Sequence, residues 1–329
     1  ERPAAHARDR CRSFETKNMP SIIQFIHPSW EHGFGKDDEF PLKNWNKGSH
    51  KRKFVKYKGQ FEKDKRLKNG ELFFWCEWEP QSKVEKQLIT DFNKIPSENI
   101  FNYSGFPKYQ YDKLFYGDLD KRLWRQNTDP CVFGNQFYFS LCQQSRRKKK
   151  SKERYSTFMA KLEKGSIILF GSYKQNKKTR EKLFILDTVF VVADWIEYKC
   201  REDILSSNDS RIEKEYHEIF TRFIDDQDFT RRLYFGATYE NRINGMYSYV
   251  PAKVDNDKEF GFERPQINLD GIINPKKNTG FKISNRNIES CKENWDDISE
   301  QINIFNLVKG INFKMPKKVN EPTTMPMRT

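Results

Sequence analysis

Cysteine motifs, histidine and long apolar runs are all scarce in this 329-residue sequence, and each absence removes a class of protein. The six cysteines are scattered and no two have Cys-x-x-Cys spacing, which argues against a zinc ribbon or a dithiol redox motif. No run approaches the ~18 apolar residues of a membrane-spanning helix, and the start lacks a signal peptide's apolar core. The sequence therefore predicts no membrane partner, and free thiols in a reducing cytoplasm.

The motifs of the common nucleotide-binding and hydrolytic sites are also missing. There is no Gly-x-x-x-x-Gly-Lys-Ser/Thr loop, no Gly-x-Gly-x-x-Gly, no Gly-x-Ser-x-Gly and no His-Glu-x-x-His. These absences argue against the P-loop, dinucleotide-binding, α/β-hydrolase and zinc-protease classes. The sequence does not show whether a cofactor is bound, or which one, and it does not show the oligomeric state.

Apolar residues are few, at 36%, but aromatic residues are abundant, at 15%, with 28 phenylalanines. Disordered chains of similar polarity lack aromatics, so the composition predicts a folded protein with an aromatic core. The patterns of strands and helices predict an α+β fold: a strongly bent mixed sheet or a small β-barrel with peripheral helices.

The chain carries a formal net charge of +14, which suggests a polyanionic partner. DNA, RNA or a nucleotide comes first, and an anionic membrane surface second. Two segments concentrate the charge. Residues 43–68 hold eleven Lys or Arg against two acidic residues, and Arg146 to Arg154 hold seven against Glu153. We expect the segments 43–68 and 146–182 to line a nucleic-acid groove, although a run such as 146–154 is also typical of a solvated, mobile loop.

Three regions of the chain differ in character. Residues 1–18 are rich in Arg and Ala and are interpreted as a leader or an extension derived from cloning. Residues 19–314 are expected to form one compound domain, with a possible N-terminal subdomain at 19–145. Residues 315–329 are expected to be a loose tail.

Local patterns predict individual elements within that domain. A turn is predicted at Asn69-Gly70, because this dipeptide is typical of a two-residue hairpin loop. Helices are predicted over Lys83–Phe92 and over Ser210–Asp226, the second from a Ser210/Glu213 capping box. A helix or a strand is expected over residues 298–308. The predicted strands are Ser21–His27, Lys53–Tyr57, Leu72–Glu79, Phe137–Leu141, Ile167–Phe170 and Leu183–Trp195.

The stretch Leu72 to Glu79 is the most distinctive of these strands. Alternation puts Leu72, Phe74, Cys76 and Trp78 on one face, which is typical of a core. The other face carries Phe73, Trp75, Glu77 and Glu79. Two carboxylates beside two aromatic rings suit the floor of a catalytic or ligand site, although a half-buried strand with solvated Glu residues is equally consistent.

Three of the five histidines fall within 24 residues, just upstream of that strand. This pattern indicates candidate catalytic and ligand-binding groups near the ends of the strands. These groups could bind a phosphate while a carboxylate acts as the base. They could also ligate a metal, although no metal-ligand spacing is present. The alternative is that they are ordinary polar residues of a loop. The candidate catalytic residues are His27, His32, Glu77 and Glu79, and the candidate ligand-binding residues are Glu31, His50, Arg52, Lys53 and Trp75.

Two further features are candidates for ligand binding. Trp124, Arg125 and Gln126 combine an indole for stacking, a guanidinium for phosphate and an amide for a base edge. Asp187 interrupts an apolar strand, and a buried carboxylate is costly unless it is paired. It is expected either to bond a neighbouring backbone or Arg group, or to serve as a site residue.

The stretch Lys164-Gly165-Ser166-Ile167-Ile168-Leu169-Phe170-Gly171-Ser172, with the later Leu186-Asp187-Thr188-Val189-Phe190-Val191-Val192, resembles PUA-like domains of the EVE, ASCH and YTH group. The resemblance covers about 30 residues. It implies a small β-barrel with helices and a pocket for a flipped, often modified base.

Together these features predict a nucleic-acid- or nucleotide-binding protein, and the resemblance implies that it recognises a modified base. The alternative is an enzyme acting on a nucleotide or nucleic acid, with Glu77 or Glu79 as general base. A protein-interaction scaffold is the third hypothesis.

Overall fold

The computed structural model shows a sheet-dominated α+β protein, which confirms the predicted fold class at that level. The residues that it describes are 19–30, 52–77, 82–87, 109–114, 129–151, 153–175, 182–219, 224, 227–256, 262, 264–269, 271–274, 283–285 and 287–314. The predicted leader 1–18 and tail 315–329 lie outside them, and the division of residues 19–314 stays a prediction.

The elements of the described chain run as follows. They are β1 (Ser21–Trp30), β2 (Arg52–Lys63), β3 (Arg66–Glu77), β4 (Ser82–Gln87), β5 (Tyr109–Leu114), β6 (Tyr138–Phe139), β7 (Ser145–Arg147), β8 (Arg154–Ser156), a 3-10 helix (Phe158–Lys161), β9 (Ile167–Gln175), β10 (Lys182–Tyr198), α1 (Arg201–Ser206), α2 (Lys214–Ile219), β11 (Arg231–Gly236), β12 (Val250–Val254), β13 (Ile283–Asn285), α3 (Ile288–Ile304) and β14 (Val308–Phe313).

Two sheets organise these strands. The larger is mixed, with the order β13-β1-β9-β10-β11-β6, and only its β1–β9 pair is parallel. In the smaller sheet β12, β14, β2 and β3 each pair with two neighbours, all antiparallel. Two separate ribbons, β4–β5 and β7–β8, complete the described strands.

The core is aromatic, as the composition predicted. Strand β10 is buried on both faces from Phe184 to Val192, which suits its nearly continuous apolar sequence. On one face Phe139 packs against Phe170 and Phe190, with ring centroids 5.4 and 6.3 Å apart. On the other face α3 covers the sheet, where Trp295 Nε1 donates a 3.0 Å hydrogen bond to the carbonyl of Tyr247.

The hairpin between β2 and β3 turns five residues before the predicted position. Asp64 and Lys65 occupy the turn with φ of 54° and 59°, whereas Asn69 and Gly70 lie inside β3. The register explains the difference, since it pairs Val55 with Phe74 and so aligns apolar with apolar residues. A turn at Asn69-Gly70 would set Phe74 opposite Lys65, so side-chain pairing outweighs the preference of the turn residues.

Replacing Lys65 with glycine is expected to raise the free energy of unfolding by about 0.5–1 kcal/mol, because glycine adopts the left-handed conformation without steric cost. Equilibrium urea unfolding measures the change. Lys63→Gly is the matched control, since Lys63 is extended in β2, and it should lower stability by a similar amount. Equal losses in both variants would contradict the turn assignment.

Two predicted helices differ in the structure. Residues 82–87 form β4, which pairs with β5, so this part of the predicted helix Lys83–Phe92 is wrong: strand pairing overrides local propensity here. The predicted helix at 210–226 begins only at Lys214 in the structure. Its expected capping residue Glu213 instead accepts a 2.5 Å hydrogen bond from the backbone N–H of Asn135.

Other features agree with the sequence analysis. The predicted strands in β1 and β10 are present, and residues 298–308 contain both the end of α3 and the start of β14. The five cysteines of the described chain are free thiols. Among the helices described, none has the length and apolar character needed to cross a membrane.

Candidate functional site

The predicted site residues that the structure describes belong to both sheets. His27 follows Ile26, whose backbone pairs with Gly171 of β9, and Gly171 in turn pairs with Leu186, the residue before Asp187. In the other sheet the backbones of Arg52 and Glu77 oppose each other, one pair beyond Lys53 and Cys76. The candidates outside the described residues are Glu31, His32, His50, Glu79, Trp124, Arg125 and Gln126. The grouping of the candidate histidines and carboxylates into one pocket therefore stays a prediction.

Asp187 occupies a β-bulge in β10. The β9–β10 register pairs Gly171 with Leu186 and Phe170 with Thr188, so Asp187 is the extra residue between the two pairs. Its side chain is fully buried. A bulge redirects a side chain from its regular alternation, and here it accompanies a carboxylate in an otherwise apolar strand.

The partner of Asp187 is Arg264, which the sequence analysis did not identify. The two form a salt bridge between Arg264 Nη1 and Asp187 Oδ1, and the Arg264 side chain is only 1% exposed. Arg264 Nη2 also donates to Ser172 Oγ at 3.2 Å. The guanidinium carbon lies 4.3 Å from the ring centroid of Trp75, which is itself buried.

This cluster joins two of the predicted ligand-binding residues, Trp75 and Asp187, through one guanidinium. It connects β3 of the smaller sheet with β9 and β10 of the larger sheet, because Trp75, Ser172 and Asp187 come from these three strands. A side chain that is 1% exposed does not meet solvent. The cluster is therefore a buried polar connection between the sheets, with the chemistry of a structural ion pair.

Gly171 is required opposite the bulge. A Cβ at this position would collide with the carbonyl oxygen of Ile185 and would lie 2.7 Å from a ring carbon of Phe184. Gly171→Ala is therefore expected to lower the free energy of unfolding by about 1–3 kcal/mol, measured in urea. The control Gly70→Ala meets its nearest atom, in the Phe61 ring, at 3.2 Å and should cost less. A larger loss at Gly70 would contradict the packing at the bulge.

A second feature is the ribbon formed by β7 and β8, which we call the basic hairpin, residues 145–156. The sequence predicts that residues 146–154 line a groove or form a solvated, mobile loop; in the structure residues 145–147 pair with residues 154–156 as an antiparallel ribbon. Tyr155 is 44% exposed. The exposed cations described in the hairpin are Arg146, Arg147, Lys148, Lys149, Lys150 and Arg154.

The base of the basic hairpin is fixed to the larger sheet. The buried Gln144 side chain binds the backbone of Arg232 on β11 through both ends of its amide, at 2.7 and 2.8 Å. The hydroxyl of Ser156 donates to the carbonyl of Thr230 at 2.6 Å. The hairpin is thus presented from a rigid base, which suits a surface that must keep its shape on binding.

The preceding segment is held by a buried carboxylate. Asp129, which is fully buried, accepts hydrogen bonds from three successive backbone N–H groups, those of Ser140, Leu141 and Cys142, at 2.9, 2.8 and 2.5 Å. Charge-assisted bonds of this kind are about twice as strong as neutral ones. They fix the chain where it leaves β6 and approaches the basic hairpin.

The described part of the basic hairpin carries six cations and one acidic residue. Arg147 and Arg154 occupy directly opposing positions, and like charges in such positions repel each other. The one acidic residue, Glu153, forms a 2.6 Å pair with Lys148, and this ammonium lowers the pKa of Glu153. An anion bound between Arg147 and Arg154 would relieve their repulsion.

Among the described residues, no group of three or more His, Cys, Asp or Glu side chains is placed to hold a metal ion. Comparison of the chain with protein-family models, with curated proteins and with solved structures gave no significant match.

Proposed function

We propose that this protein binds nucleic acid and that the basic hairpin contacts its phosphate backbone. The observation that carries the proposal is the cross-strand pair of Arg147 and Arg154 in an exposed ribbon. A ribbon with two arginines at directly opposing positions is less stable than one with opposite charges at those positions. Bound phosphate compensates that cost, since arginine suits bidentate recognition of phosphate.

The shape of the basic hairpin also supports this function. A two-stranded antiparallel ribbon fits the major groove of B-DNA, which is ~12 Å wide. The exposed ring of Tyr155 can stack on an unpaired base or rest on a sugar. The net charge of +14 favours association with a polyanion over long range. The wider surface that we propose comprises the segments 43–68 and 146–182.

The PUA-like resemblance supports a finer proposal about the substrate. Gly165, with φ of 85°, precedes β9, and β10 returns beside β9 in an antiparallel register. In PUA-like domains the corresponding strands belong to a small barrel with a pocket for a flipped base. A modified base is therefore the finer substrate class that we propose.

Titration of the wild-type protein tests the proposal. Fluorescence anisotropy with labelled duplex DNA, single-stranded DNA and RNA at low salt is expected to give saturable binding to at least one of them. The 260/280 absorbance ratio of the purified protein, before and after nuclease treatment, gives an independent check for bound nucleic acid. An absence of binding to all three probes would contradict the proposal.

A further inference from the structure

An open groove of about 560 Å³ lies on the smaller sheet and is lined by none of the residues of the two features described above. This volume falls within the ~300–1,000 Å³ typical of small-molecule sites. It is lined by parts of β2 and β3, by the end of β14 and by the loop that precedes β6. Its polar side chains include four carboxamides and two ammonium groups, those of Gln60, Asn69, Asn135, Asn312, Lys58 and Lys314.

Tertiary contacts bring these four carboxamides together. Gly59 lets β14 approach closely, because a Cβ there would lie 2.6 Å from the Phe313 ring and 2.8 Å from the Asn312 carbonyl oxygen. The loop carrying Asn135 is held by a 2.7 Å hydrogen bond from Gly134 N to the carbonyl of Phe313. Residues that are far apart in the sequence thereby line the same groove.

The carboxamides keep hydrogen-bonding capacity for a ligand. Within the described part of the chain, the side chains of Asn69 and Asn135 form no hydrogen bond and are exposed. Asn312 Nδ2 donates to Gln60 Oε1 at 3.4 Å, which uses one group of each amide. A carboxamide offers a donor and an acceptor side by side, and this arrangement complements the edge of a nucleobase.

The charges of the groove also suit a nucleotide. Lys58 and Lys314 supply two exposed ammonium groups for a phosphate. The acidic residue of the groove, Glu71, lies 3.4 Å from Lys56 Nζ, which partly offsets its charge. Lys56 also binds Asp255 at 2.5 Å, so it is held beside the groove.

We infer that this groove binds one nucleotide unit, with the carboxamides on the base edge and the two lysines on the phosphate. The inference rests on the proposed nucleic-acid function and adds a base-contacting site to it. It is distinct from the basic hairpin, which contacts phosphates without regard to sequence. The same chemistry serves a free nucleotide and an unpaired nucleotide of a strand.

Binding of nucleoside 5′-monophosphates, followed by protein-observed NMR or calorimetry, tests the inference. At least one of AMP, GMP, CMP and UMP is expected to bind tenfold or more tightly than ribose 5-phosphate, because only the nucleotides offer a base edge. The variant Asn69→Ala/Asn135→Ala should lose this preference while keeping its binding of ribose 5-phosphate. Asn241→Ala, an exposed asparagine outside the groove, is the matched control and should retain the preference.

Equal binding of ribose 5-phosphate and every monophosphate would overturn the inference, as would a double variant that keeps the wild-type preference. Absence of monophosphate binding would overturn it as well. These outcomes leave the proposed function intact whenever the wild-type protein still binds DNA or RNA through the basic hairpin. Displacement of the monophosphate by a short single-stranded oligonucleotide would identify a strand as the occupant, and lack of displacement would identify the free nucleotide.

Discussion

Replacing Asp187 with alanine is expected to lower the free energy of unfolding by about 3–5 kcal/mol. The substitution removes the Asp187 carboxylate from the Arg264 guanidinium, which is 1% exposed. Ser172 is a neutral partner of this guanidinium and Trp75 an aromatic one, and neither replaces the lost carboxylate. Equilibrium unfolding in urea, followed by tryptophan fluorescence and by circular dichroism, measures the change.

A matched control lies on the same strand. Asp194 also belongs to β10 and also pairs with an arginine, Arg211, but its side chain is 54% exposed. Asp194→Ala should therefore cost less than about 1 kcal/mol. The apolar double variant Asp187→Leu/Arg264→Met should recover most of the stability lost in Asp187→Ala, because it removes both charges at once. Equal losses for Asp187→Ala and Asp194→Ala would show that burial of the pair does not govern its contribution.

The triple variant Arg147→Ala/Lys149→Ala/Lys150→Ala is expected to bind duplex DNA about 100-fold more weakly than the wild type at ~0.1 M salt. Each cation that is removed eliminates one phosphate contact and one counterion that binding would release. The three side chains are exposed, so the free energy of unfolding should stay within about 0.5 kcal/mol per site. Anisotropy titrations give the affinities, and urea unfolding confirms that the variant is folded.

A second triple variant separates the basic hairpin from the overall charge. Lys199, Lys214 and Arg242 are exposed and lie in three other segments of the chain, outside the proposed binding surface. Their replacement by alanine changes the net charge by the same amount and should preserve most of the affinity. If both triple variants lost affinity equally, binding would depend on net charge alone, and the basic hairpin would have no special role.

The sequence predicts the larger elements of the fold because their patterns are strong and local. The long strand β10 follows from a nearly continuous apolar run, and β1 from its β-branched residues. The position of a hairpin turn, in contrast, does not depend on local sequence alone. The β2–β3 register depends on which apolar residues meet across the strands, and Val55 opposite Phe74 decides it against Asn69-Gly70.

The candidate site shows the same limit. Asp187 stands out in sequence because a carboxylate in an apolar strand needs a partner, and that inference gives the type of its neighbour. The neighbour itself, Arg264, lies 77 residues away and is found only from the packing of β3 against β9 and β10. The groove carboxamides carry no sequence signal, since Gln60 and Asn312 are 252 residues apart.

The dependence of duplex DNA affinity on salt concentration tests the central claim most directly. Log affinity is measured against log salt for the wild type and for the triple hairpin variant Arg147→Ala/Lys149→Ala/Lys150→Ala. Loss of three phosphate contacts predicts a slope that is shallower by about 2.7, at about 0.9 per contact. Identical slopes for the two proteins, or a wild-type affinity that does not change with salt, would contradict a phosphate-binding role for the basic hairpin.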